Sequence, residues 1–324
     1  MTYKRLIGTA CGLTLALCTI VSIEGANAAT KIRFGTTSAS AVSWPEFIAQ
    51  DKRYYAAENL NVEVTYTGNN TTVVQQLIGG SFDLGQTTFE TTIRAIENRA
   101  PIVMIGSTMI KYSYSIMAQK DIKSIKDMKD KRIILALPKS ALTVYWNRAV
   151  EQAGMKVSDI DRVYDGSTPN RYAALVSGTV QAAGLTQPID LLAMDKGYNR
   201  IVDITAVAKN FGFTSLVASR NWLKQNGDTA RAFLRATKKA TEYFYDKKNR
   251  AEVIAILVKH TKIAPDAAAK TYDYFVNELQ PYQRDLDPTD DYVRTVVQLL
   301  VDIGDYKIPN IDPKKYADRG YLPK

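Results

Sequence analysis

"GNNTTVVQQLIGGSFDLG" fills residues 68–85, and "GSTPNRYAALVSGTVQAAG" fills residues 166–184. Aligned without a gap, Gly68 meets Gly166, Leu77 meets Leu175, Ile78 meets Val176 and Gly80 meets Gly178. Each copy opens with small polar residues that cap a helix, carries an apolar stripe, and stops at a glycine suited to left-handed backbone. A short apolar run that reads as a strand follows in both. One supersecondary unit is therefore written twice.

The surroundings repeat as well. "KIRFGTT" (31–37) reads as a buried strand entering a polar loop, a helix is expected over 44–58, and "NVEVTYT" (61–67) is the next strand. Beyond the first copy, "TTFETTIRAIENR" is a helix and "PIVMIGS" a strand. The second copy is approached by "KRIILALPKS" (131–140), a helix over 141–153 and the strand "DIDRVYDGS". Thr168 is expected as its cap, with Pro169 at the first helical position. Strands alternating with helices give an α/β fold of two lobes, each a mostly parallel sheet flanked by helices. In such sheets ligands lie beyond the carboxyl ends of the strands, where both copies place helix N-termini. Two lobes facing each other then form a cleft with backbone N–H groups on both walls.

"KYSYSIMAQK" (111–120) reads as the crossing out of the first lobe and "FTSLVAS" (213–219) as the return. The expected division is a leader at 1–28, a first lobe at 29–117 and 208–324, and an inserted second lobe at 118–207. Two crossings permit hinge closure over a ligand.

The leader has a basic start at Lys4 and Arg5, an apolar run over 6–23, and small residues at Ala26-Asn27-Ala28 that a signal peptidase reads. Leu17 stands where lipid attachment at Cys18 needs a small residue. Cys11 and Cys18 are the chain's two cysteines, so the mature chain has none. Roughly 295 residues bury enough apolar surface without disulfides. No later stretch reaches the ~20 apolar residues of a membrane span. A soluble periplasmic protein is expected. The net charge of +9 falls to +8 once Lys4, Arg5 and Glu24 leave with the leader. Basic residues are scattered, and "KDIKSIKDMKDKR" (120–132) is interleaved with Asp, a solvated face and no nucleic-acid patch.

Catalysis finds little to work with. The single histidine, His260, lies in an amphipathic helical stretch, so no Cys–His pair exists and a soft metal site has no ligands. "RDLDPTDD" (284–291) lacks the glycine and spacing of a calcium loop. No catalytic residue, metal or cofactor is expected.

The chain resembles the periplasmic substrate-binding proteins of ABC importers, in the group that binds nitrate, taurine, alkanesulfonates and thiamine pyrimidines. The resemblance is carried by "AAENLNVEVTYTGNNTTVVQQLIGGSFDLG", "SIKDMKDKRIILALPKSALTVYWNRAVEQAGMKVSDI", "AALVSGTVQAAGLTQP", "TSLVASRNWLKQN" and "DPKKYADRGYLPK". It implies a type II periplasmic-binding-protein fold and a monomeric receptor that delivers a small molecule to an inner-membrane permease. One departure is Gln181, where many members carry Asp; a strand-end contact is expected to change, and not the fold. The pyrimidine synthases that share the fold use cysteines and histidines this chain lacks.

The first-lobe wall is expected at Thr37, Ser38, Ser40, Asn69, Asn70, Gln86, Thr87 and Thr88, with Trp44 and Phe89 packing an apolar part of the ligand. The second-lobe wall is expected at Lys139, Ser140, Ala141, Ser167, Arg171, Thr186 and Gln187. Lys139 and Arg171 stand at helix N-termini, where a cation is out of place unless an anion lies between them. A small organic anion of sulfonate, carboxylate or nitrate type is the expected ligand, with a neutral pyrimidine or thiamine precursor as the alternative.

Overall fold

The computed structural model describes residues 1–2, 28–208 and 211–324; the leader's signal-peptide reading and its cysteines lie outside that range. Among the described residues, ten strands form two five-stranded sheets. They are β1 (Thr30–Thr36), β2 (Leu60–Tyr66), β3 (Leu84–Thr88), β4 (Ile102–Gly106), β5 (Ser115–Ala118), β6 (Arg132–Leu135), β7 (Asp161–Tyr164), β8 (Ala182–Leu185), β9 (Asn199–Asp203) and β10 (Thr214–Ser219). The orders are β2-β1-β3-β10-β4 and β7-β6-β8-β5-β9.

The two sheets follow one plan. β1 runs parallel to β2 and β3, as β6 does to β7 and β8. Each sheet then takes one antiparallel strand into its interior. β10 lies between β3 and β4, and β5 lies between β8 and β9. Those two strands adjoin the crossings. The first crossing lies between Gly106 and Ser115, so the lobe boundary expected at residue 117 falls inside a strand of the second sheet. The return lies between Val207 and Thr214.

The repeat persists in detail. Asp83 Oδ2 accepts from the Arg33 backbone N–H at 2.8 Å, and the Asp83 N–H returns to the Arg33 carbonyl at 2.9 Å. In the second lobe Gln181 Oε1 accepts from Arg132 N–H at 3.1 Å, and the Gln181 N–H returns to the Arg132 carbonyl at 2.9 Å. An amide oxygen replaces a carboxylate oxygen, so the strand-end clasp survives and only the added Arg33–Asp83 ion pair is specific to the first lobe. Gly80 and Gly178 end their helices at φ +73° and +77°, the left-handed backbone that glycine adopts without a Cβ penalty.

Two helix expectations change. The run over 44–58 breaks into Trp44–Asp51 and Tyr54–Ala57, because Arg53 turns left-handed at φ 57°. Ser167, and not Thr168, occupies the cap position of the helix Thr168–Val176. Helices Arg220–Tyr245, Arg250–Thr261 and Pro265–Tyr274 return to pack on the first lobe, where Phe233, Phe244 and Phe275 are fully buried. His260 stacks on Phe47 and bonds Asp51 at 3.1 Å, on the outside of that lobe.

Candidate functional site

The loops beyond the carboxyl ends of the strands meet around one cavity of about 40 Å³, room for roughly three waters. The first lobe contributes Thr36, Thr37, Ser38, Ser40, Val42, Asn70, Gln86, Thr87, Thr88 and Glu90. The second contributes Ala136, Leu137, Ser140, Gly166, Thr168 and Thr186, and the crossings add Tyr112, Tyr114, Phe213 and Thr214. The lobes are closed on each other. A Cβ added to Gly166 stands 2.5 Å from the Gly68 carbonyl oxygen and 2.7 Å from Asn69 Cβ. The opening glycines of the two copies therefore touch at the rim, where only a missing side chain allows the approach.

An ionic clasp reinforces the closure. Asp305, in the first lobe, accepts from Arg94 Nη2 at 2.7 Å and from Lys139 Nζ of the second lobe at 2.5 Å. Arg94 also donates to the Lys139 carbonyl at 2.5 Å.

Nine of the seventeen residues expected at the site line the cavity: Thr37, Ser38, Ser40, Asn70, Gln86, Thr87, Thr88, Ser140 and Thr186. Asn69 caps the helix Asn70–Ile78 by accepting from Thr72 N–H at 2.9 Å, and it sits at the rim. Ala141 is the buried first residue of the helix Ala141–Gln152. The remaining six are held elsewhere, each for a visible reason. The Trp44 indole donates to the Val253 carbonyl at 2.9 Å and packs on Phe244, inside the first-lobe core. Phe89 is fully buried too, against Gly212. The Lys139 ammonium belongs to Asp305. Gln187 donates to Asp190 at 2.9 Å and accepts from Ser113. The Ser167 N–H bonds Asp165 at 2.7 Å, which settles the turn into its helix.

Arg171 is the largest departure. It is 0 % exposed. Its guanidinium donates to the Gly184 carbonyl at 2.6 Å, the Asp165 carbonyl at 2.6 Å and Thr168 Oγ1 at 2.8 Å. It lies 5.8 Å from the Tyr114 ring centre. Arg171 thus supports the wall from behind. By occupying an acceptor lone pair of Thr168 it leaves that hydroxyl's proton for Thr186, 3.4 Å away, or for a ligand.

Gln86 is likewise a brace. Its Oε1 accepts from Thr36 at 3.2 Å and Ser43 at 2.7 Å, and its Nε2 donates to Glu46 at 2.8 Å and Thr108 at 3.0 Å. Both ends of the amide are spent, so Gln86 orients the wall without a free group for a ligand. Among the described residues, two buried polar atoms of the lining have no partner: Thr87 Oγ1 and Glu90 Oε2.

The sequence reading passed over Glu90, Tyr112, Tyr114 and Phe213. The tyrosines and Phe213 lay in stretches read only as crossings. An acid in the first turn after "TTF" carries a signal, since it suits a helix N-terminus, but that dipole argument explains it without a cavity.

Burial pushes the Glu46 carboxyl up to about 8, against the pull of its own backbone N–H and the Thr108 hydroxyl. A carboxyl that holds its proton only when folded makes the native state bind more protons, so stability falls as pH rises from about 4.5 to about 8. Glu46→Gln is expected to remove that fall and to gain about 1–3 kcal/mol over the parent at pH 8 relative to pH 5. Urea denaturation at the two pH values checks this; parallel pH dependences mean Glu46 is ionised in the fold.

A family model described as "NMT1/THI5 like" matches residues 40–251. Among curated relatives, a putative binding protein of Brucella abortus is 25% identical over 282 residues, covering 85% of this chain and 86% of that protein. The 4-amino-5-hydroxymethyl-2-methylpyrimidine phosphate synthase of Aspergillus parasiticus is 22% identical over 265 residues, covering 74% and 75%. Among solved structures, the ligand-binding component of an ABC-type import system from Staphylococcus aureus superimposes with TM-score 0.75 at 16% identity, covering 90% of this chain and 97% of that one. The periplasmic nitrate-binding protein NrtA from Synechocystis gives TM-score 0.74 at 16% identity, covering 88% and 84%. The architecture is that of periplasmic binding proteins.

Proposed function

Because the chain belongs to the NMT1/THI5-like family, we propose that it is the solute-binding receptor of an ABC importer. In this reading it works as a monomer in the periplasm, closes on a small polar molecule and hands it to an inner-membrane permease. The observation that carries the reading is the cavity itself, whose opposite walls come from two lobes of one plan joined by two crossings. Such a site encloses a ligand only when the lobes meet, which is the behaviour a receptor needs to signal occupancy.

The ligand class follows from the wall. The small anion expected from Lys139 and Arg171 has neither cation on the cavity surface. Helix N-termini at Asn70, Phe89, Ala141 and Thr168 do favour negative charge. Glu90, however, already brings a carboxyl among them. Hydroxyls, backbone amides and one buried acid suit a neutral polar ligand, the pyrimidine type among them, better than a sulfonate or nitrate.

The enzyme alternative rests on the synthase relative and predicts turnover. Protein exported and purified from the periplasm is expected to lower its radius of gyration in solution scattering when ligand is added, and to release that ligand unchanged on denaturation. A chemically altered product overturns the receptor reading in favour of the synthase.

A further inference from the structure

Among the described residues, no Lys, Arg or His lines the cavity, and Glu90, in the first turn of the helix Phe89–Glu97, is its one carboxyl. Glu90 is 2 % exposed, and its Oε2 has no hydrogen-bond partner among the described residues. Two nearby cations, Arg94 and Arg171, are committed elsewhere. Arg94, one helical turn on, is held by Asp305 at 2.9 and 2.7 Å, and Arg171 is held by the Gly184 and Asp165 carbonyls. Beside the acid stands an aromatic wall. Tyr112 lies 4.9 Å from Tyr114 and 4.8 Å from Phe213, centre to centre, and all three line the cavity. Burial pushes the Glu90 carboxyl up from its usual range, against the Arg94 charge, the Thr88 hydroxyl and the Ala141 amide across the cleft.

We propose that Glu90 is the specificity-determining residue of the cavity, accepting hydrogen bonds from the nitrogen-bound hydrogens of a flat, neutral or cationic ligand of the amidine, amide or amino-heterocycle class and turning anions away. This rests on the receptor reading and names its ligand class. An N–H donor gives Oε2 the partner it lacks and offsets the desolvation of the acid. A carboxylate or sulfonate instead brings a second like charge into the same low-dielectric space. The aromatic wall takes the flat face of the ligand.

Three isosteric probes separate the possibilities: benzamidine, benzamide and benzoate, titrated calorimetrically into the full mature chain. The parent is expected to bind benzamidine at least about 10-fold more tightly than benzoate, with benzamide between them. Glu90→Gln, which keeps the shape and removes the charge, is expected to lose about 30-fold for benzamidine and to lose the preference over benzoate. Glu90→Asp keeps the charge and is expected to keep the order at lower affinity, which holds the test open if the Gln variant folds poorly. A parent that prefers benzoate, a parent that binds none of the three, or a folded Glu90→Gln variant with unchanged preference each overturns the assignment. Scattering with whichever probe binds separates this from the receptor reading. A benzoate-selective parent that still closes sinks Glu90's role alone, whereas a probe that binds without closing the lobes sinks the receptor reading.

Discussion

Gly166→Ala is expected to weaken ligand binding by about 5- to 150-fold while leaving the stability of the unliganded chain near the parent's. The added methyl would stand 2.5 Å from the Gly68 carbonyl oxygen and 3.0 Å from Asn69 Cα. Both are backbone atoms and cannot swing aside as a side-chain tip does. Overpacking of this kind costs about 1–3 kcal/mol, which corresponds to that range in affinity. The cost falls on the closed state alone, because an open cleft parts Gly166 from Gly68. The variant should therefore melt like the parent without ligand, bind weakly by calorimetry, and stay expanded in scattering at ligand concentrations that close the parent. Parent-like affinity would mean that the lobes close by another approach.

Arg171→Ala should unfold the second lobe more readily, at a cost of about 3–5 kcal/mol. The substitution removes a fully buried guanidinium and strands the Gly184 and Asp165 carbonyls, the situation in which deleting one partner of a buried polar cluster costs most. Arg171→Lys should recover only part, since an ammonium lacks the planar fork that reaches both carbonyls and the Thr168 hydroxyl together. Chemical denaturation measures the loss. A large fall in ligand affinity with stability intact would instead make Arg171 a direct contact of the ligand.

That reversal shows what the sequence conveys. The paired helices, their glycine stops and the alternating strands were legible because each is written in consecutive residues. Thr37, Ser40, Thr88, Ser140 and Thr186 were legible because a loop after a parallel strand has one place to go. The commitments of Arg171 and Lys139 were not. A cation at a helix start looks unemployed in one dimension. Its partners, Gly184 for the one and Asp305 for the other, are brought to it by packing. The antiparallel insertion of β5 and β10 was hidden for a related reason, since an apolar strand does not state which neighbours it will pair with.

The placement of β10 governs when the molecule can become whole. β4 ends at Gly106, yet its partner within the sheet is not made until residue 214. Met104 and Met109 further bridge to Ala317 and Tyr282, near the far end of the chain. Through most of synthesis the first lobe is thus a three-strand fragment with an open edge at β3 and a stranded β4. The first sheet therefore waits on a non-local pairing, the kind that forms slowly. For the exported receptor proposed above, that order defers completion of the first lobe to the side of the membrane on which residues 214–324 emerge.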